Sequence, residues 1–251
     1  MEKLTQPNRP DLISTLEVTE DLELGDIPAW SYSALKTFES CAYRSYIAKV
    51  KRIQEDFGPA AARGTAIHEE AEKYVNGQLG ELPDSLRKFD TKFKQLRELF
   101  VDAKVELEGD WGFTRSWETC DWMAPDVWAR IKLDAFVHQD DTSARVIDYK
   151  TGKQIGNEIA HSQQALIYAI GSFFRYPLLQ FVKTEIWYLD QGTTSEQTYT
   201  RDEAMIFMPK LHERAITMTT ATEFPPNPSQ YNCKWCTYGK GLDPHCQWAI
   251  T

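Results

Sequence analysis

Asp134 and Asp148 stand fourteen residues apart, and Lys150 follows two residues after the second acid. Two carboxylates brought together suit Mg²⁺, which prefers hard oxygen ligands and keeps several of its waters. Such an ion polarises a phosphoryl oxygen and lowers the pKa of a bound water. An ammonium group beside it can orient the attacking water or stabilise the charge that develops on phosphorus. An isolated D-x-K is ordinarily a surface pair, so the weight rests on the elements that carry these residues.

Residues 128–138 read WARIKLDAFVH. Ala129, Ile131, Leu133, Ala135 and Val137 are apolar and alternate with Arg130, Lys132 and Asp134, the pattern of a strand with one buried face. The polar QDDTS turns the chain, and ARVIDYK forms a second strand with Ala144, Val146, Asp148 and Lys150 on one face. With the turn centred on residue 141, facing residue numbers sum to 282, so Asp134 faces Asp148 and Lys132 faces Lys150. Directly opposed Cβ atoms lie about 4.5–5.5 Å apart. Two like charges at about 5 Å repel by roughly 3 kcal/mol at an effective dielectric of about 20. A proton on one acid, an offsetting Lys150 or Arg130, or a shared divalent ion relieves that repulsion, and the ion is the simplest of the three.

The remaining elements must hold this hairpin. Ser31 or Ser33 is placed to cap a helix reaching about Val50, with Leu35, Phe38, Ala42 and Tyr46 on one face. Residues 51–63 form a basic loop. A helix over residues 65–75 follows, with Ile67, Ala71 and Tyr74 as its stripe, His68 at the edge of that stripe and Asn76-Gly77 as its stop. Leu86, Phe89, Phe93, Leu96 and Phe100 are spaced for an amphipathic helix that packs a core. A strand lies near residues 104–108. A helix over 162–175 puts Gln164 and Tyr168 on one face. Residues 181–189 and 195–199 make a hairpin about Gly192, and Thr200-x-x-Glu203 is a capping box that starts a long helix, which Pro209 should kink. Helices before and after strands predict one α/β domain with a mixed sheet.

With 42% hydrophobic and 26% charged residues in 251, the chain is neither disordered, collagen-like nor a coiled coil. No apolar run approaches the ~20 residues of a membrane span. The start, MEKLTQPNRP, lacks a basic-then-apolar segment, so the expectation is a cytoplasmic protein with no membrane partner. The net charge of −9 is unevenly spread. Residues 1–30 hold seven acids against two bases and are expected to form an acidic, weakly ordered arm, while residues 31–63 hold six bases against three acids. Global charge therefore does not exclude a polyanion groove, for which Arg44, Lys49, Lys51, Arg52 and Arg63 are the candidate phosphate contacts, of the kind that fix register without reading sequence. Some of the eight tryptophans are candidates for base stacking, although packing is the ordinary use of each. The odd count of five cysteines argues against a disulfide framework and for a ligand set.

Together, Gly64-Thr65-Ala66-Ile67-His68-Glu69, Glu106, Lys132-Leu133-Asp134, Asp148-Tyr149-Lys150-Thr151-Gly152-Lys153 and Gln164 with Tyr168 resemble the PD-(D/E)XK nuclease superfamily, specifically its RecB-like branch. The likeness covers about residues 31–248. The segment from Ser31 to Tyr46 is similar to the helix that opens that branch, and the tail from about residue 225 to its closing segment. The tryptophan-rich stretch before Lys132 and Leu189-Asp190-Gln191-Gly192 resemble phage-encoded members. The resemblance implies a restriction-endonuclease-like α/β fold, a mixed sheet flanked by helices, with residues 31–251 as one nuclease domain. It implies Mg²⁺ or Mn²⁺ held by His68, Asp134 and Asp148 with the backbone carbonyl of Tyr149, Glu106 as a further acid, Lys150 as the catalytic lysine, and Gln164 and Tyr168 positioning the DNA strand. Asp148 stands where many members carry the longer Glu. The resemblance also implies a [4Fe–4S] cluster on Cys41, Cys233, Cys236 and Cys246 that ties the first helix to the tail. Zinc, for which His245 is a further candidate ligand, and packed thiols without metal are the alternatives. The implied function is a DNA exonuclease acting on ended duplex or single strands in recombination, repair or phage DNA processing. The alternatives are an endonuclease subunit of a larger recombination or CRISPR-type complex, and a non-cleaving DNA-binding scaffold.

Overall fold

A computed structural model describes residues 22–55, 58–239 and 245–250. Its centre is a six-stranded sheet made of β1 (Val105–Phe113), β2 (Thr119–Cys120), β3 (Ala129–His138), β4 (Ser143–Lys150), β5 (Phe181–Tyr188) and β6 (Thr193–Thr200), in the order β2-β1-β3-β4-β5-β6. Neighbours are antiparallel except β4 and β5, which are parallel. A parallel pair needs a crossover. The helices are α1 (Tyr32–Ser40), α2 (Ala42–Ser45), α3 (Gly58–Val75), α4 (Asp90–Val101), α5 (Glu158–Arg175), α6 (Arg201–Thr219) and α7 (Gln230–Lys234), and α5 supplies that crossover. The mixed sheet flanked by helices is the architecture the sequence implies.

Helices cover both faces of the sheet. Leu35 of α1, Ile167, Ile170 and Phe173 of α5 and Met208 and Leu211 of α6 pack on one face, where Phe136 and Val146 lie. Ile67, Ala71 and Tyr74 of α3 and Phe93 and Leu96 of α4 pack on the other, where Val137, Ile147 and Trp187 lie.

The alternating pattern of β3 does not make one buried face. Ile131 and Leu133 belong to the α1/α5/α6 side, but Ala135 and Val137 belong to the α3/α4 side. In β1, Val105 and Trp111 are divided the same way. The two halves of β1 meet at Glu108, which takes φ 48° in mid-strand and is skipped in the ladder to β3. A left-handed residue there turns the ribbon over. The register survives on both sides of it, Leu107 facing Ala135 and Gly109 facing Leu133, so the two strands turn together. Asp134 sits at this crossing point.

Three further boundaries move. α3 begins at Gly58, shortening the expected basic loop, because Pro59 and the three alanines after it are a good helix start. The first helix is capped by Ser31 but breaks at Cys41, whose backbone is extended, and a π-helical turn then carries residues 46–50. Residues 84–89 form a 3₁₀ turn before α4, yet Leu86, Phe89, Phe93 and Leu96 are all buried as their spacing predicts. The capping box of Thr200 and Glu203 is present, and α6 runs on through Pro209. The acidic arm needs correcting at its end. Ile27 and Trp30 are buried, and Trp30 bridges to Ala129, so this segment is packed core; residues 1–21 lie outside the described residues. No helix among the described residues is long and apolar enough to cross a membrane.

Candidate active site

The β3–β4 ladder ends with Ala135 facing Ile147, in the register that sums to 282. One step further, Asp134 and Asp148 no longer form a ladder pair. Instead the backbone N–H of Tyr149 donates to Asp134 Oδ2 at 2.5 Å. The strands part where the acids stand, and a side chain replaces the backbone acceptor. Both acids are buried.

Each acid is held from a different helical layer. His68 on α3 places Nδ1 2.8 Å from Asp134 Oδ1. α3 comes close at this point because Gly64, one turn earlier, would bring a Cβ to 3.3 Å from Thr151 Oγ1, just past Lys150. From the other layer, Tyr168 on α5 donates its hydroxyl to Asp148 Oδ1 at 2.7 Å, and Gln164 Nε2 donates to that hydroxyl at 2.6 Å. Lys150 Nζ lies 2.7 Å from Asp148 Oδ2. Burial pushes the Asp134 carboxyl above the usual range; the hydrogen bond from His68 opposes this, and the charge of Asp148 adds to it. Burial alone would lower the His68 imidazole, but the hydrogen bond and charge of Asp134, with Asp148 beyond, outweigh it and raise it. Burial also pushes the Tyr168 hydroxyl well up, with Asp148 adding to the effect, so it stays a proton donor to that acid.

One expectation changes here. Tyr168 is 5% exposed and Gln164 half-buried, and the pair holds Asp148. Glu106 is not at this site. It accepts hydrogen bonds from Tyr176 and His138, farther along the sheet. The acid of β1 nearer the site is Glu108, whose neighbours Leu107 and Gly109 pair with Ala135 and Leu133 on either side of Asp134 and whose charge bears on Tyr149. His161 is a further residue of the site. It shares the α5 face of Gln164 and Tyr168 and places Nδ1 2.8 Å from the Tyr188 hydroxyl. Burial and then the charge of Lys150 lower its pKa. Its spacing, three and seven residues before Gln164 and Tyr168, was a usable signal.

The expected phosphate contacts divide. Lys49, Lys51 and Arg52 are exposed, with Lys51 over the Tyr46 ring. Arg44 is engaged through two nitrogens by the buried carboxylate of Glu55, and Arg63 is paired bidentately with Asp190 at 2.7 and 2.9 Å. Arg44 is therefore a structural ion pair. Of the tryptophans, Trp30, Trp111, Trp117, Trp128 and Trp187 are packed in the core.

A divalent cation fits the two acids. Asp148 Oδ2 is buried and is met by the Lys150 ammonium at 2.7 Å. The charge of Asp148 acts on the buried Asp134 carboxyl, and a shared cation would relieve that repulsion. Among the described residues no three His, Cys, Asp or Glu side chains are grouped to hold a metal ion. Mg²⁺ needs no such cage, because one or two carboxylates, waters and substrate phosphates complete its shell. His68 is here the hydrogen-bond partner of Asp134.

Cys41, Cys233, Cys236 and Cys246 line one small cavity between α1 and the tail, although they too form no metal-holding group. What ties the tail to the first helical segment among the described residues is hydrogen bonding and ring contact. Asn227 and Asn232 donate to the Ser40 carbonyl at 2.9 and 3.0 Å, Tyr238 donates to the Ile53 carbonyl at 2.8 Å, and Trp248 packs edge-on to Tyr43.

No curated protein matches the sequence. A solved structure described as "Crystal structure of SSO0001" resembles the chain with a TM-score of 0.46 and 14% identity, covering 98% of this chain and 99% of that one. A family model described as the PD-(D/E)XK nuclease superfamily matches residues 29–240. That span holds the parted strands with their two acids, the lysine beside the second acid and both helices that grip them, and the chain belongs to this superfamily of metal-dependent nucleases.

Proposed function

We propose that the chain is a DNA exonuclease of the RecB-like branch, hydrolysing phosphodiester bonds at duplex ends or in single strands. The observation that carries the reading is the pair of buried acids, with Asp148 fixed at Oδ1 by Tyr168 and met at Oδ2 by the Lys150 ammonium at 2.7 Å, and Asp134 held by His68. Asp134, Asp148 and the Tyr149 carbonyl would hold Mg²⁺ or Mn²⁺, with His68 keeping Asp134 in position or joining as a ligand. When bound, the ion supplies Lewis acidity to the phosphodiester and to the attacking water. Lys150 orients that water and offsets the charge that builds on phosphorus. Tyr168 and Gln164 keep Asp148 from rotating, and Lys49, Lys51 and Arg52 meet the phosphates of the bound strand.

The cavity lined by the four cysteines supports a second part of the reading. Cys41, Cys233, Cys236 and Cys246 hold a [4Fe–4S] cluster, or structural Zn²⁺ in its place. A role in recombination, repair or phage DNA processing follows from the same reading.

The test is incubation of linear, closed circular and single-stranded DNA with Mg²⁺ or Mn²⁺, using the native chain and Lys150→Ala. Metal-dependent loss of linear but not circular DNA, abolished in the variant, is the expected result. Cutting of closed circles would mean an endonuclease, and binding without cutting would mean a scaffold.

A further inference from the structure

A cavity of about 840 Å³ opens at the N-terminal end of β3, lined by Trp30, Trp122, Trp128 and Arg130 together with Lys49 and Arg115. Its size is that of a ligand site. Arg130 is fixed within it. Its Nε donates to the Trp122 carbonyl at 3.0 Å, and its guanidinium lies 5.6 Å from the centre of the Trp122 ring. An arginine held against a tryptophan offers a flat surface to a base and N–H groups to a phosphate at once. Lys49 is exposed, and Met123 beside Trp122 is 80% exposed. Asp26 and Asp126 also line the cavity, so its cations exceed its anions by one, in a chain whose net charge is −9.

The cavity stands on the same strand as the catalytic acid. Arg130 precedes Asp134 by four residues, about 13 Å along a strand, roughly the length of four stacked nucleotides. The first turn of α1 borders both places. Ser31 and Ala34 line the cavity, while Tyr32 between them donates to the Ala160 carbonyl at 2.7 Å, next to His161.

We propose that this cavity holds the single strand running to or from the carboxylate pair, with a base against Trp122 and Arg130 and phosphates on Lys49 and Arg130. The inference rests on the nuclease reading above. A concave site with a stacking ring takes an unpaired base, because bases inside a duplex present no free face.

The test is fluorescence anisotropy with labelled oligothymidylate and with a hairpin-closed duplex, in Mg²⁺, comparing Lys150→Ala alone with Lys150→Ala carrying either Trp122→Ala or Lys49→Ala. Trp122→Ala should weaken oligothymidylate about ten-fold, the loss of one stacked base. Lys49→Ala should weaken it a few-fold and flatten the salt dependence by about 0.7 in log–log slope. Duplex binding should change much less in both. Parent affinity for the oligonucleotide in either variant, or an equal loss for the duplex, overturns the proposal. Lys49 is exposed, so its variant keeps the test alive even where removal of Trp122 disturbs the fold. Hydrolysis of bis(p-nitrophenyl) phosphate by the native chain with Mn²⁺ needs no strand. A failed nuclease reading shows there, and a misplaced strand shows in the binding comparison.

Discussion

Two regions of this molecule gather metal-ligating residue types, and they are built differently. At the parted ends of β3 and β4 the functional side chains have partners on other elements. His68 of α3 holds Asp134, the β4 backbone holds it again, and Tyr168 of α5 holds Asp148. In the cavity between α1 and the tail, the four cysteines line one space but are not grouped as ligands, and asparagine and tyrosine side chains make the attachments. Oxygen and nitrogen groups make strong hydrogen bonds, so the protein alone can shape a carboxylate site. Thiols are weak donors and acceptors, so a thiol site takes its shape from what it binds. Burial pushes the Cys236 thiol up, with Cys246 adding to the effect, so metal binding there must displace a proton.

The largest expected effect separates the regions outright. Lys150→Ala should lower DNA hydrolysis about a thousand-fold while the melting temperature stays within a few degrees. Cys233→Ser should do the reverse, lowering the melting temperature by several degrees with turnover per folded molecule changed little. Loss of activity in Cys233→Ser protein that is still folded would couple the two regions. Next comes Tyr168→Phe, which removes the donor to Asp148 Oδ1 and should cost about ten- to a hundred-fold in turnover or metal affinity. An unchanged rate at sub-saturating Mn²⁺ would reduce the α5 contact to packing.

The smallest effect lies in neither region and serves as a reference. His212 is buried, with the Trp117 indole N–H donating to its Nδ1 at 3.2 Å, and burial lowers its pKa below the ordinary 6.5. The unfolded chain therefore binds the proton more readily. Stability contributed at neutral pH is lost as pH falls below about 6.5 towards the folded value. Melting curves at pH 5.5 and 7.5 should differ less for His212→Gln than for the native chain.

The acid pair was legible because apolar alternation and a polar turn fix a hairpin register, and the observed ladder keeps that register up to Ala135 and Ile147. The turning over of β1 and β3 was not legible. It depends on a glutamate taking a left-handed conformation at position 108, which residue type alone does not announce. For the same reason Glu106 was the wrong acid to place beside Asp134. Arg44 looked like a phosphate contact because a basic run shows charge but not the Glu55 carboxylate eleven residues later that occupies it. His161 was within reach, since the helical spacing that joined Gln164 to Tyr168 also includes it.

Everything rests on the two acids sharing one cation. Manganese diffused into crystals of the chain and located by anomalous scattering near its absorption edge addresses that directly. The expected result is an ion in contact with the Asp134 and Asp148 carboxylates and beside Lys150, lost in Asp148→Asn. Manganese bound only elsewhere, in protein that cleaves DNA with that metal, would contradict it.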